Sequence, residues 1–131
     1  MRTFRDSSAV RSARLELTAA IEAARAASIQ RGRAARVRIR NDSVLVTVDT
    51  SAIGSATTLR YTVLGPKSLR AEHGVTITGV LPSDTGVAFE SRGLASPRLD
   101  QTAIFVIRRG AMRDSVCVSR LGMLLPSRCT P

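Results

Sequence analysis

Two hydrophobic periods follow one another along this chain. From about Ser7 to Arg31, the residues Val10, Ala13, Leu17, Ile21, Ala24 and Ser28 recur at three- and four-residue steps, which draws one continuous stripe on a helix. Leu15, Ala19, Ala23, Ala26 and Ile29 draw a second, weaker stripe, so the helix should present two contact faces of unequal strength. Alanine dominates the span and β-branched residues are few, so intrinsic propensity agrees with the period. Asp6, Ser7 or Ser8 can cap the start, and Gly32 stands where a C′ glycine belongs. The pattern predicts a helix over about residues 8–31, packed through Val10, Leu17, Ile21 and Ala24.

After Gly32 the period falls to two. Ala35, Val37 and Ile39 point one way and Arg36, Arg38 and Arg40 the other. The turn "RND" leads into "SVLVTVD", where Val44, Val46 and Val48 alternate with Leu45 and Thr47, so the two stretches read as a hairpin. Further strand candidates are residues 57–64, 74–80, 86–91, 102–109 and 113–121, the last two separated by the short connection "GAM". Pro66, Pro82, Pro97 and several glycines punctuate the gaps. Strands that arrive consecutively through short turns should pair antiparallel. The expectation is therefore one α+β domain over residues 1–131: a long N-terminal helix covering a sheet face, then a β-rich head over about 33–129.

Composition fits that picture. The chain has 131 residues, 44% hydrophobic and 23% charged, a globular balance able to bury one core. No run approaches the roughly 18 apolar residues that a membrane span needs, and "MRTFRDSSAVRSARLEL" has no apolar segment of a signal peptide. The start falls close to what reads as mid-helix sequence, which suggests a soluble piece of something longer.

Charge adds a functional question. Twenty basic residues, nineteen of them arginine, face ten acidic ones. Residues 1–40 hold ten arginines against Asp6, Glu16 and Glu22, a net of +7, whereas the rest of the chain nets +3. Five arginines (Arg31, Arg33, Arg36, Arg38 and Arg40) crowd the helix-to-strand junction. A GC-rich genome explains a preference for arginine over lysine. Phosphate recognition explains it too, because the guanidinium fork matches phosphate oxygens better than a point charge does. The asymmetric basic end suits an anionic partner such as nucleic acid, a membrane surface or an acidic subunit.

Catalytic chemistry is not indicated. His73, the single histidine, sits in "RAEHGV", which reads as a turn, and no serine or cysteine stands in a nucleophile context beside it. No pair of cysteines or histidines has metal-ligand spacing, and no glycine-rich loop joins a strand to a helix, so neither metal nor cofactor is expected. Asp42, Asp49, Glu72, Asp84, Glu90, Asp100 and Asp114 fall mostly at turns. The four aromatics, Phe4, Tyr61, Phe89 and Phe105, fall mostly in apolar patterns, which argues against a stacking platform for single-stranded nucleic acid. Cys117 lies in the last clear strand and Cys129 near the chain end. In the cytosol both would be free thiols. A disulfide between them would staple a tail that otherwise frays, close a loop of about a dozen residues worth roughly 3 kcal/mol, and imply an oxidising compartment.

The segment "RLELTAAIEAARAASIQRGRAARVRI" resembles the GspH/FimT family of minor pilins and pseudopilins. Glu16-Leu17, Ala20-Ile21, Ala24-Arg25, Ser28-Ile29, Arg31-Gly32 and Val37 occupy the family pattern that runs from the N-terminal helix into the first strand. "GVAFESRGLASP" and "DSVCVSRLGMLL" look like its later strands. The resemblance implies a helix packed on antiparallel sheets, in a soluble domain that lacks the family's leader and membrane-embedded half-helix. It implies a structural subunit of a type IV pilus or a type II secretion pseudopilus, not an enzyme. Such a subunit is anchored in the inner membrane through the missing segment, with a periplasmic domain, before it joins a filament with other pilin or pseudopilin subunits. It also raises DNA uptake during natural transformation, with duplex DNA as partner. The DNA-binding members carry a GRxR-like motif near the C-terminus, where this chain has Gly122-Met123-Leu124-Leu125, flanked by Arg120 and Arg128 out of register. The alternative is a sequence-independent DNA-binding module whose basic surface combines Arg31, Arg33, Arg36, Arg38 and Arg40 with Arg120 and Arg128.

Overall fold

The computed structural model of the chain describes residues 2–49, 60–80, 87–95, 103–119 and 121–125. Helix α1 spans Arg2–Arg31, about 45 Å at 1.5 Å per residue. It begins well before residue 8, so Asp6, Ser7 and Ser8 lie inside the helix and do not cap it. Asp6 instead reaches across to Arg109, with Oδ1 3.0 Å from the guanidinium Nε. The C-terminus ends as its glycine predicts. Gly32 has φ +62°, and the Arg33 amide returns to the Ser28 carbonyl at 3.2 Å, the six-to-one bond of a Schellman motif.

Strands β1 (Ala35–Arg40) and β2 (Ser43–Asp49) form the expected hairpin, with Arg40 opposite Ser43. The two intervening residues, Asn41 and Asp42, both take positive φ (52° and 61°), the conformation of a type I′ turn whose twist matches that of the strands. Asp42 ties this tip to its surroundings. Its carbonyl accepts from the Leu69 amide at 3.0 Å and its carboxylate from the Ile77 amide at 2.8 Å.

Strand β3 (Arg60–Ser68) pairs with β2, and β5 (Val87–Phe89) pairs with the other edge of β1. The resulting antiparallel sheet has the order β3-β2-β1-β5. Pro66 was expected in a gap. It lies instead inside β3, an edge strand whose register against β2 slips twice and where a missing amide is tolerated. A second antiparallel sheet has the order β4-β6-β7, with β4 at Thr76–Val80, β6 at Ala103–Arg109 and β7 at Met112–Val118. The strands are thus antiparallel as expected but divide between two sheets, with the short helix α2 (Leu69–His73) between β3 and β4 and β5 returning to the edge of the first sheet. Ser68 caps α2, its Oγ accepting from the Ala71 amide at 3.1 Å. His73 therefore closes a helix and does not sit in a simple turn.

Helix α1 lies across both sheets, against β1 and β2 on one side and β6 and β7 on the other. Val10, Ala13, Leu17, Ile21, Ala24 and Ser28 are all buried, with Phe89, Phe105, Ile107 and the valines of β1 and β2 completing the core. Polar side chains moor the helix along its length. Arg14 donates to the Ser115 carbonyl at 3.2 Å, with Asp114 at 3.7 Å, and Arg25 donates to the Gly93 carbonyl at 3.2 Å. Glu16 Oε1 meets Lys67 Nζ at 2.9 Å. Burial pushes the Glu16 carboxyl up, but Lys67 and His73 outweigh it and hold it below the usual carboxylate range; Glu16 in turn holds the Lys67 ammonium above its ordinary value.

Candidate functional site

Alternation along β1 puts Ala35 and Val37 into the core and Arg36, Arg38 and Arg40 on the outer face of the four-stranded sheet. Arg36 stands opposite Thr47 and Ala88, is half-buried, and is already engaged by a neighbour. Arg38, opposite Leu45, is half-exposed, and Arg40, opposite Ser43 at the hairpin tip, is exposed. Arg38 and Arg40 line an open groove of about 560 Å³ with Ile39, Asn41, Ser43, Leu45 and Pro66. Among the described residues, no carboxylate lines it. The nearby Asp42 has its side chain bonded to the Ile77 amide.

Of the other arginines of the predicted surface, Arg31 and Arg33 do not line that groove. The Arg31 guanidinium lies 5.0 Å from the centroid of the Tyr61 ring, a cation–π contact. Tyr61 is opposite Val48, whose side chain is buried, and cross-strand partners share a face. Arg31 is therefore on the helix side of the sheet, across from the β1 stripe. Arg33 is half-exposed in the turn between α1 and β1. Arg120 and Arg128 lie outside the described residues. Pro66, at the groove but distant in sequence, had no signal in the alternation pattern.

A second surface is apolar. Along α1, Leu15 is 62% and Ile29 51% exposed, and Ala19 and Ala26 are exposed between them. This is the weaker of the two helical stripes, and neither of the two described sheets covers it. Leu121, Met123 and Leu125 are exposed too, in the stretch that follows β7. That stretch is fixed by its backbone: the Leu125 amide donates to the Cys117 carbonyl at 2.9 Å and the Ala95 amide to the Leu121 carbonyl at 2.8 Å.

Cys117 is buried in β7 and is not a free thiol. Its expected partner, Cys129, lies outside the described residues. Among the described residues, no helix is long and apolar enough to cross a membrane.

Comparison with protein-family profiles found no match, and comparison with curated proteins found none. Among solved structures, the chain is similar to the type IV minor pilin FimU of Pseudomonas aeruginosa (strain PAO1). The TM-score is 0.58 and the identity 22%, over 88% of this chain and 86% of that one. The likeness establishes a pilin-like fold, with a long helix packed on antiparallel sheets.

Proposed function

We propose that the chain is the helix and head of a minor pilin-like subunit of a type IV pilus or type II secretion pseudopilus. It would be held in the inner membrane by a preceding segment and then packed into a filament among other pilin or pseudopilin subunits. The observation that carries this reading is the half-covered helix. One stripe of α1 is sealed by two sheets while Leu15, Ala19, Ala26 and Ile29 stay bare, and an apolar helix face left in water is stabilised by a partner. The fold shared with a minor pilin supports it. A Cys117–Cys129 disulfide belongs to the same reading, since the head would face an oxidising compartment. The test is a Leu15→Glu/Ile29→Glu double variant in cells that produce the intact protein. Loss of the subunit from the sheared filament fraction, with an unchanged Tm for the purified domain, is expected. Undiminished incorporation overturns the reading.

The groove between Arg38 and Arg40 favours a second reading, weak binding of duplex DNA without sequence preference. Fluorescence anisotropy should show affinity falling steeply between about 50 and 200 mM salt as counterions are released, and Arg38→Glu/Arg40→Glu should abolish binding. Binding that survives in that variant moves the DNA contact elsewhere.

A further inference from the structure

Where α2 meets α1, three potential metal ligands converge that are far apart in the chain. Glu16 comes from the middle of α1, Glu72 and His73 from α2, and one donor atom from each lies within 4.8 Å of the others. Glu16 Oε2 is 3.1 Å from His73 Nε2, and Glu72 Oε2 is 3.8 Å from the same nitrogen. A four-coordinate ion with bonds of about 2.0–2.1 Å holds its ligand atoms about 3.3 Å apart, so these spacings are close to the edges of such a polyhedron.

A second observation singles out the same point. Glu16 Oε2 and His73 Nε2 are both sealed from solvent, and neither makes a hydrogen bond. They face one another at 3.1 Å, an ion pair whenever the imidazole is protonated, but without the alignment of a hydrogen bond. With the imidazole neutral, the carboxylate oxygen and the ring nitrogen are left without that pairing, and one cation between them would satisfy both.

We propose that Glu16, Glu72 and His73 form a site for a divalent transition-metal cation that clasps α2 to α1. An imidazole with two carboxylates suits zinc and its first-row neighbours better than calcium or magnesium, which prefer oxygen ligands alone. Glu72 is the most exposed of the three, so the fourth position opens to solvent and takes water. Lys67 is the built-in competitor. Its ammonium holds the other Glu16 oxygen at 2.9 Å and lies 3.5 Å from Glu72 Oε2, so ion binding displaces it from Glu72 but leaves its contact with Glu16 Oε1. The site is independent of the pilin reading, since it rests on the contact between α1 and α2 and not on assembly.

The test is calorimetric titration of untagged, oxidised protein with Zn²⁺ in a non-chelating buffer, with the imidazole nitrogens followed by NMR. His73 is the only histidine, so any imidazole signal belongs to it. One equivalent should bind and shift the Nε2 resonance. Glu72→Gln, at an exposed position that leaves the fold intact, should weaken binding by at least the roughly 10- to 100-fold that loss of an outer-shell partner costs. His73→Ala should weaken it as much or more. Lys67→Met should tighten binding several-fold, because it removes a like charge beside the ion. No heat from wild type, an unmoved imidazole resonance, or equal binding by Glu72→Gln overturns the proposal. So does weaker binding by Lys67→Met.

Discussion

Two faces of one helix make the most informative comparison in this molecule. Along α1, Leu17, Ile21 and Ala24 are buried to within about 1% of their surface, while Leu15 and Ile29 keep about half of theirs or more. Both stripes consist of ordinary helix formers at helical spacing, and both look like contact faces in one dimension. The buried one carries Val10, Leu17 and Ile21, whose bulk fills the angle between two sheets. The bare one is mostly alanine between Leu15 and Ile29, a low surface against which another helix can lie closely. The core therefore accounts for one face and leaves the other in solvent.

Substitutions along α1 should separate the faces by the size of their effect on the isolated domain. The largest should come from Ile21→Asp, which buries an unpaired charge between the sheets; a loss of about 4 kcal/mol or more is expected in urea unfolding. A variant that melts with wild type would show that the face is wrongly assigned. Leu17→Ala leaves a cavity at a fully buried position and should cost about 3 kcal/mol by the same measurement.

Smaller losses are expected at the boundary of the two faces, where α1 touches the 90–95 loop. Gly93 has φ +81°, and a Cβ there would stand 2.7 Å from Ile29 Cδ1. Gly93→Ala should cost about 1–3 kcal/mol from backbone strain, with the flexible end of Ile29 yielding. Arg25→Ala removes the bond to the Gly93 carbonyl and should cost about 1 kcal/mol. Leu15→Asp should change stability by no more than about 0.5 kcal/mol, since the side chain is already in water. If Leu15→Asp instead destabilised the isolated domain as Leu17→Ala does, the two faces would not differ and the free-surface argument for assembly would fail.

How far the sequence reaches differs from element to element. The stop of α1 was legible because Gly32 alone supplies the left-handed residue that a Schellman motif needs, whereas the start was not, since Asp6, Ser7 and Ser8 cap as readily as they continue a helix. Hairpin β1–β2 was legible through its strict alternation, and with it the outward direction of Arg38 and Arg40. The same alternation could not show that Arg31 would be drawn over Tyr61 on the far side, because that contact depends on how β3 is registered against β2.

By itself, then, the sequence determined the periods: where the helix runs out, where strands begin, and which side of each strand is apolar. These follow from backbone geometry that each residue senses within a few neighbours. The tertiary structure decided which stripe of α1 is covered, that the strands split into two sheets, and that α2 seats His73 against Glu16. It also brought Pro66 to the groove beside Arg38 and Arg40. Each of those outcomes depends on packing between segments far apart in the chain, where close fit and burial select among arrangements that local periodicity leaves equal.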